Sequence, residues 1–275
     1  MSFNHPEHDI PVSLPMGLSA EQSWISTLQH SLHLQTQNAS HPFHSDPYVL
    51  RSVTVQAYDL FGEKRVGFLK LVSDVSNGAG EKLPGAVFLR GPSVAMLVML
   101  VPDDAPAETD ERYVLLTVQP RIAAGSLEFA ELPAGMVDEA GNFAGTAANE
   151  IREELGLEIP QEELINLSDM AFPAAAAAAA AATTEGKEKN ENLPQAMFPS
   201  AGGCDEYIPI FMHERRVPRE QLGEWTGRLT GLREHGEKIT LKLVRMRDLW
   251  REGARDAKCL AALALWEGLR REGRL

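Results

Sequence analysis

Apolar and polar residues alternate along residues 49–72. Val53 and Val55 on one side, and Val66 on the other, flank the turn-forming residues 60–63. A period of two residues places apolar side chains on one face of a strand, and a short break between two such runs is typical of a β-hairpin. We therefore predict a small antiparallel module in this region.

Further strand patterns follow a glycine-rich break at residues 77–80. The stretch 94–101 is apolar throughout, as expected for a central strand that is buried on both faces. A helix is predicted from Thr146, as N-cap, to Leu155, with Gly156 as C-cap. The other predicted elements are strands at 87–89, 113–118, 128–133, 207–212 and 238–244 and an amphipathic helix at 248–272. Strands mixed with a few helices indicate an α/β or α+β sandwich, in which helices cover both faces of a mixed sheet.

The same pattern divides the chain into three parts. Residues 1–45 are predicted to form a loosely ordered lead-in with a weakly helical stretch at 20–34, residues 46–84 the antiparallel β subdomain, and residues 85–275 the main domain. Within the main domain, residues 173–194 hold nine consecutive alanines and then a charged, polar run. This tract has no amphipathic face, so we interpret it as a disordered or frayed insertion, or as a solvent-exposed helix.

The chain carries a net charge of -13 over its 275 residues. This balance leaves no broad basic surface for exchanging counterions with a phosphate backbone, which argues against a nucleic-acid partner. A small-molecule partner is favoured instead. An acidic protein that binds an anionic phosphate must reverse its own field locally, with a divalent cation or with a few placed arginines.

Cysteine usage, apolar stretches and the first residues bear on the compartment. Cys204 and Cys259 lie far apart, and the sequence has no Cys/His cluster that would indicate a zinc site or a disulfide framework. The longest apolar stretch, 93–102, falls short of the ~20 residues that a membrane-spanning helix requires. Residues 1–15 have neither an apolar signal core nor a basic transit pattern. We expect a protein of the cytoplasm, or of the cytoplasm and nucleus, with no membrane partner.

Three glutamates, Glu150, Glu153 and Glu154, are spaced i, i+3 and i+4 in the predicted helix. Their side chains share one stripe of the helix, with Cβ atoms about 5–6 Å apart. Like charges at this spacing destabilise a helix and disfavour ionisation, so a hard cation that takes up the charge would explain them. Mg²⁺ is the natural candidate because it prefers oxygen ligands and shares its shell with phosphates. The alternative is an ordinary solvated face.

The segment 135–157, GMVDEAGNFAGTAANEIREELGL, resembles the Nudix box. The pattern of that box is glycine, five residues, Glu, seven residues, and then Arg-Glu-aliphatic-x-Glu-Glu-x-Gly-aliphatic; the spacing and most of the fixed positions match. The resemblance implies that Glu150, Glu153 and Glu154 ligate Mg²⁺, with Mn²⁺ as a substitute. It also implies a Nudix-type α/β/α sandwich with a mixed sheet, in which the box holds the cation against a diphosphate.

Two positions depart from the box pattern. Gly141 replaces the first Glu, and Asn149 replaces the Arg that precedes Glu150. Asn149 can offer a hydrogen bond but no charge, so one of the glutamates lacks a charged partner that would orient it, unless another cation such as Arg152 replaces that partner. These departures leave open a second class of function, a non-catalytic sensor that binds ADP-ribose-like ligands.

The resemblance extends beyond the box to the ADP-sugar diphosphatases. The matching stretches are 88–100, 118–138, 198–206, 230–244 and the tail that begins at Leu249. They imply Mg²⁺-dependent hydrolysis of a nucleoside diphosphate sugar, such as ADP-ribose or ADP-glucose, to a nucleoside monophosphate and a sugar 1-phosphate. In relatives the hairpin module exchanges across a two-fold dimer, so a homodimer is expected. Another nucleoside polyphosphate is the alternative substrate.

Further site residues follow from this resemblance. Arg121 matches an arginine that family members place on the diphosphate or the terminal sugar, and its bidentate fork suits phosphate oxygens. Arg90 is expected to have a similar role. Glu131 would either accept hydrogen bonds from ribose or base, or lock its loop. Ala134 would offer its backbone carbonyl to a metal ion.

The C-terminal half supplies the remaining candidates. Glu206 follows a glycine pair, Gly202-Gly203, that lets the backbone approach a ligand closely, and Glu206 is expected to contact the substrate. Related enzymes take a further metal ligand or the general base from the loop that holds Glu234 and Glu237, of which we favour Glu237. No covalent intermediate is required, and Glu237 or Glu154 would accept the proton of the attacking water. A solvated loop without a role is the alternative.

Overall fold

The computed structural model describes residues 19–61, 65–137, 141–172, 191–232, 234 and 236–275. Two compact units make up the chain. The first comprises Met1–Pro92, Pro173–Pro194 and Ser200–Tyr207, and the second comprises Ser93–Phe172, Gln195–Pro199 and Ile208–Leu275. Most of the predicted lead-in before the first helix, and the whole alanine run, lie outside the described residues.

The first unit is a helix and a small antiparallel sheet. Helix α1 spans Ser19–Gln37, and the strands are β1 (Val49–Phe61), β2 (Arg65–Ser76), β3 (Lys82–Leu83) and β4 (Ala86–Leu89). The β1–β2 pairing aligns Val53 with Ser73 and Val55 with Leu71, which confirms the predicted hairpin; β3 and β4 also pair with β2. Val53, Val55 and Leu71 belong to one buried cluster, as the alternation of two predicts. The hairpin's turn lies outside the described residues.

The second unit is built on an eight-stranded mixed sheet. Its strands are β5 (Ser93–Pro102), β6 (Tyr113–Arg121), β7 (Ser126–Glu131), β8 (Ala134–Met136), β9 (Ile165–Asn166), β10 (Ile210–Val217), β11 (Leu229–Thr230) and β12 (Ile239–Arg245). The order is β11-β12-β6-β5-β10-β9, with β7 paired to β6 and β8 paired to β5. Strands β5 and β10 run parallel, whereas the other pairings are antiparallel.

Helices cover both faces of this sheet. The helices of the second unit are α2 (Phe143–Glu150), α3 (Leu167–Ala171), α4 (Leu222–Trp225), α5 (Leu249–Glu252) and α6 (Ala257–Arg271). Strand β5 is buried along its whole length. Met96 lies in one core cluster with Ile151, which follows α2, while Leu97 lies in the other cluster with Ala262 of α6. This arrangement confirms the predicted α/β sandwich with a mixed sheet.

Among the described residues, no helix is long and apolar enough to cross a membrane, and the longest apolar stretch is strand β5.

The predicted start of the box helix is wrong by one turn. The helix begins at Phe143, after the N-cap Asn142, whose side chain accepts a hydrogen bond from the Gly145 N–H at 3.0 Å. Thr146 was therefore misassigned as the cap, because Asn142 satisfies the free N–H groups one turn earlier. The C-terminal prediction is confirmed, since Gly156 adopts a left-handed φ of 68°.

The single long helix predicted at 248–272 is also wrong. The chain forms α5 and α6, which are separated at residues 253–256, and the Asp256 side chain caps α6 by accepting from the Lys258 N–H at 3.1 Å. Gly253 permits the break, because a Cβ there would lie 2.6 Å from the Cys259 Sγ atom.

Two strand predictions are shifted: 207–212 is observed as Ile210–Val217, and 128–133 as Ser126–Glu131.

Candidate functional site

The central sheet of the second unit opens next to the box. Strand β6 pairs with β5 at Met99–Val114 and Leu100–Tyr113. Beyond these pairs β7 takes over the edge of β6, while β8 takes over the edge of β5, where Ala95 pairs with Ala134. The short link between β7 and β8 therefore lies where two central strands diverge, two residues before the first glycine of the box.

Gly135, the first residue of the box, makes room for Glu150. A Cβ atom on Gly135 would lie 1.8 Å from the Glu150 Oε1 atom, a distance that no side chain could accept. The backbone of β8 therefore packs directly on this carboxylate. Burial, followed by the charges of Glu153 and Glu237, raises the pKa of Glu150 to about 7.

Among the described carboxylates of the box, Glu154 is the most deeply buried, with 1% of its surface exposed. It accepts hydrogen bonds from the Ala134 N–H at 3.1 Å and from the Gln119 amide at 3.4 Å. Burial is the main reason that the pKa of Glu154 lies well above its usual range, and the charges of Glu150 and Glu237 add to it. Within the described part of the chain, no lysine, arginine or histidine forms an ion pair with Glu150 or Glu154.

Glu153 and the loop at 231–237 meet at the end of the box helix. From Ile151 to Leu155 the helix widens into a π turn, and the Glu153 carbonyl accepts from the Gly231 N–H at 3.3 Å. The Glu153 carboxylate lies 3.6 Å from Arg152. The hydrogen bond between Gly231 and Glu153 brings the loop at 231–237 to the end of the box helix.

The two candidate glutamates of this loop differ in position. The Glu237 carboxylate accepts from the Leu232 N–H at 2.8 Å, and its charge acts on both Glu150 and Glu154. Glu234 is exposed and is not among the charges that shift the pKa of Glu150 or of Glu154. The loop therefore brings Glu237, and not Glu234, into the cluster of acidic side chains.

Arg121 and Glu131 contact each other. Arg121 donates from Nε to Glu131 Oε1 at 2.5 Å, and Lys258 donates from Nζ to Glu131 Oε2 at 2.8 Å. The Glu131 side chain is 4% exposed, whereas that of Arg121 is 42% exposed. Both carboxylate oxygens of Glu131 are occupied by the chain itself, so this geometry fits the locking role better than ribose or base contact.

Arg90 and Glu206 belong to the first unit and lie close to each other there. The Arg90 Nη2 atom is 3.5 Å from Glu206 Oε1. Asp205, which the sequence interpretation did not single out, accepts from the backbone N–H of Arg90 at 2.8 Å and from that of Gly91 at 3.3 Å. Burial raises the pKa of Asp205. The glycine segment pairs with β4, since the Phe88 N–H donates to the Gly203 carbonyl at 2.8 Å.

Three side chains of the second unit were missed by sequence reasoning. Gln119 is, with Thr117, one of two buried polar residues in β6, and this position in a largely buried strand was the one signal available for it. Asp256 and Lys258 lie in the segment that the sequence predicts as an amphipathic helix, where polar residues are expected on the solvent-exposed face. Nothing in their local sequence pattern indicates a contact with Glu131.

The acidic cluster is not pre-arranged as a complete ligand set. Among the described residues, no three His, Cys, Asp or Glu side chains are grouped closely enough to hold a metal ion as they stand. Glu150, Glu154 and Glu237 are coupled by charge all the same.

Comparison with known proteins gives one strong sequence match. No protein-family model matches the chain. Nudix hydrolase 14, chloroplastic, from Arabidopsis thaliana is 39% identical over 226 residues, which is 82% of this chain. Membership of the Nudix superfamily is thereby supported. The chain spans 64% of the length of that Nudix hydrolase, and the matched length is enough to include both the box and much of the sheet around it.

A solved structure is also similar to this chain. It is the crystal structure of an ADP compounds hydrolase, with 16% sequence identity and a TM-score of 0.44. The likeness covers 82% of this chain and 99% of the other. At that level of identity and overlap it adds nothing to the sequence relationship.

Proposed function

We propose that the chain hydrolyses the diphosphate bond of a nucleoside diphosphate sugar of the ADP-ribose or ADP-glucose type, in a reaction that depends on Mg²⁺. The products would be a nucleoside monophosphate and a sugar 1-phosphate. The observation that carries the proposal is the pair of carboxylates formed by the half-buried Glu150 and the buried Glu154, with no cationic partner among the described residues. Buried charges without a partner are costly, and a divalent cation would supply one.

The donors at this site suit a hard cation. Glu150, Glu153 and Glu154 would hold Mg²⁺ together with the backbone carbonyl of Ala134, because carboxylate and carbonyl oxygens are the ligands that Mg²⁺ prefers. Mn²⁺ would serve as a substitute, since it accepts the same oxygen donors. When bound, the cation would neutralise charge on the diphosphate and lower the pKa of a coordinated water.

The remaining residues have roles that follow from their positions. Arg121, held by Glu131 through its Nε atom, would turn its two Nη groups to the phosphate oxygens or the terminal sugar. Glu237 would accept the proton of the attacking water, with Glu154 as the alternative base and Glu234 as a weaker candidate because it is exposed. Arg90 and Glu206 are proposed as further substrate contacts.

A substrate panel tests the proposal. ADP-ribose, ADP-glucose, UDP-glucose and GDP-mannose are incubated with and without Mg²⁺, and phosphate is measured after coupling to a phosphatase. We expect Mg²⁺-dependent release from the ADP sugars, at least 100-fold slower in Glu154→Gln because a metal ligand is lost. Glu162→Gln is the matched control, since Glu162 is exposed and lies outside the cluster. Equal turnover in Glu154→Gln and the wild type would refute the mechanism.

A non-catalytic sensor of ADP-ribose-like ligands is the second candidate. It is favoured by Asn149, which is exposed and carries no charge where the box pattern has an arginine beside Glu150. Binding of ADP-ribose by calorimetry without phosphate release would support it. Turnover gained by Asn149→Arg would then locate the defect, whereas turnover in the wild type would exclude the sensor.

Assembly and location are proposed on the same basis. We propose a homodimer in the cytoplasm, with a small nucleotide sugar and no nucleic acid as partner. The net charge of -13 supports the last point. The relative's name assigns that protein to the chloroplast, so imaging of a fluorescent fusion of the full chain in cells is the direct test of the cytoplasmic location.

A further inference from the structure

Three hydrogen bonds hold the two-residue link between β7 and β8, Leu132-Pro133, and the residue that follows it. The Leu132 N–H donates to Asp256 Oδ2 at 2.9 Å, and the Pro133 carbonyl accepts from the Met96 N–H at 3.0 Å. Immediately afterwards, the Ala134 N–H donates to Glu154 at 3.1 Å. Because the link has only two residues and the ring of Pro133 fixes its φ, a shift of the backbone at Leu132 would be passed on to Ala134.

Asp256 and Lys258 hold this link from the start of α6. Asp256 is 4% exposed, and its Oδ1 atom accepts from both the Lys258 N–H at 3.1 Å and the Lys258 Nζ at 2.9 Å. The same Nζ donates to Glu131 at 2.8 Å. The side chain of Lys258 is 13% exposed. Lys258 therefore links two buried carboxylates, Glu131 and Asp256, that lie far apart in the sequence.

The charges in this group balance. Two carboxylates, Glu131 and Asp256, meet two cations, Arg121 and Lys258. Buried ion pairs are worth little for stability compared with apolar residues of the same size, but removing one member leaves an uncompensated charge. Without Lys258, the carboxylates of Glu131 and Asp256 would repel each other across the link. Such an arrangement is better explained by a need for fixed geometry than by stability.

We propose that Asp256 and Lys258 are positioning residues, which hold the metal-binding and substrate-binding groups of the chain in fixed positions relative to each other. This inference rests on the proposed function. Asp256 acts through Leu132 on Ala134, whose N–H donates to Glu154 and whose carbonyl is the proposed metal ligand. Lys258 acts through Glu131 on Arg121, the arginine that is proposed to bind the diphosphate. Neither residue touches the reacting atoms.

Metal binding without turnover tests the inference. Mn²⁺ is titrated into the full chain in the absence of substrate and followed by electron paramagnetic resonance, well below the melting temperature. We expect the Mn²⁺ dissociation constant to rise about 10-fold or more in Asp256→Asn and Lys258→Met, as for other outer-shell partners of metal ligands. Lys258→Met should also raise KM for ADP-ribose more than it lowers kcat, because Arg121 loses its fixed orientation. Lys242→Met, which breaks the exposed Lys242–Glu252 pair, is the matched control and should bind Mn²⁺ as the wild type does.

The outcomes are distinguishable. A folded Asp256→Asn or Lys258→Met protein with wild-type Mn²⁺ affinity would overturn the inference and leave the proposed function intact. Loss of folding in both variants would also overturn it, because the residues would then maintain the fold and not the site. Absence of Mn²⁺ binding by the wild-type chain would instead overturn the proposed function.

Discussion

At the scale of single residues, the candidate site depends on a glycine. Gly135→Ala would insert a Cβ atom 1.8 Å from the Glu150 Oε1 atom, so the carboxylate or the strand must move. We predict at least a 10-fold loss of Mg²⁺-dependent phosphate release, in the range seen when support for a metal ligand is lost, with a stability cost of about 1–3 kcal/mol from overpacking. Gly223→Ala is the control, since a Cβ there meets nothing within 4 Å. Full activity of Gly135→Ala would show that Glu150 need not occupy its present position.

Glu150 also gives a pH prediction. Its pKa rises from 4.5 to about 7 in the folded chain, so the folded state binds more protons than the unfolded state between these values. The stability of the metal-free protein should therefore fall as pH rises from about 4.5 to 7. Thermal melting in EDTA at several pH values measures this, and Glu150→Gln should reduce the fall. Added Mg²⁺ should stabilise the wild type more at pH 8 than at pH 5, and a wild-type slope in Glu150→Gln would contradict the assignment.

The sequence located the acidic residues but not their supports. Glu150, Glu153 and Glu154 were identifiable because a helix spacing places them on one stripe, and Gly135 because it opens the box pattern. Gln119, Asp256 and Lys258 could not be assigned to the site from local pattern alone, since each reaches it through a contact with a residue at least 35 positions away in the chain.

At the scale of elements, the box helix depends on its cap. Asn142→Ala removes the acceptor for the Gly145 N–H, which should lower the free energy of unfolding by about 1 kcal/mol. Denaturation in urea measures the change, and Asn142→Asp, which keeps an acceptor, should retain most of the stability. An unchanged midpoint in Asn142→Ala would mean that the helix start is held by packing alone.

Boundaries were the weakest part of the element predictions. The box pattern does not identify the N-cap of the helix, because Asn142 stands at a position where the pattern specifies no residue. Gly141, which precedes it, adopts a left-handed φ of 67° that glycine accommodates easily. The break between α5 and α6 was hidden by a continuous amphipathic pattern. It becomes intelligible only from the close approach of Gly253 to Cys259.

At the scale of the whole molecule, the sequence predicted the class of fold but not its pairing. An apolar run with no alternation identifies β5 as a central strand, yet nothing local indicates that β5 pairs in parallel with β10, more than a hundred residues later. The splitting of β5 from β6, which creates the position of Ala134, is likewise a property of the complete sheet.

The predicted homodimer is tested by size-exclusion chromatography with light scattering. We expect a mass twice that of one chain at micromolar concentration, because the hairpin of β1 and β2 resembles a module that relatives exchange between subunits. The exposed side chains of Tyr58 and Leu60 on β1 offer a probe: Leu60→Lys should weaken the dimer without unfolding the chain. A monomer of the wild type across this concentration range would contradict the prediction.

The central claim is that the stripe of box glutamates binds a divalent cation against a diphosphate. Anomalous diffraction at the manganese edge, from crystals grown with Mn²⁺ and a non-hydrolysable ADP-ribose analogue, tests it most directly. We predict an anomalous peak bonded to oxygens of Glu150, Glu153 or Glu154, with the analogue's diphosphate on its other side. Carboxylates without a peak, and a diphosphate bound elsewhere on the protein, would contradict the account.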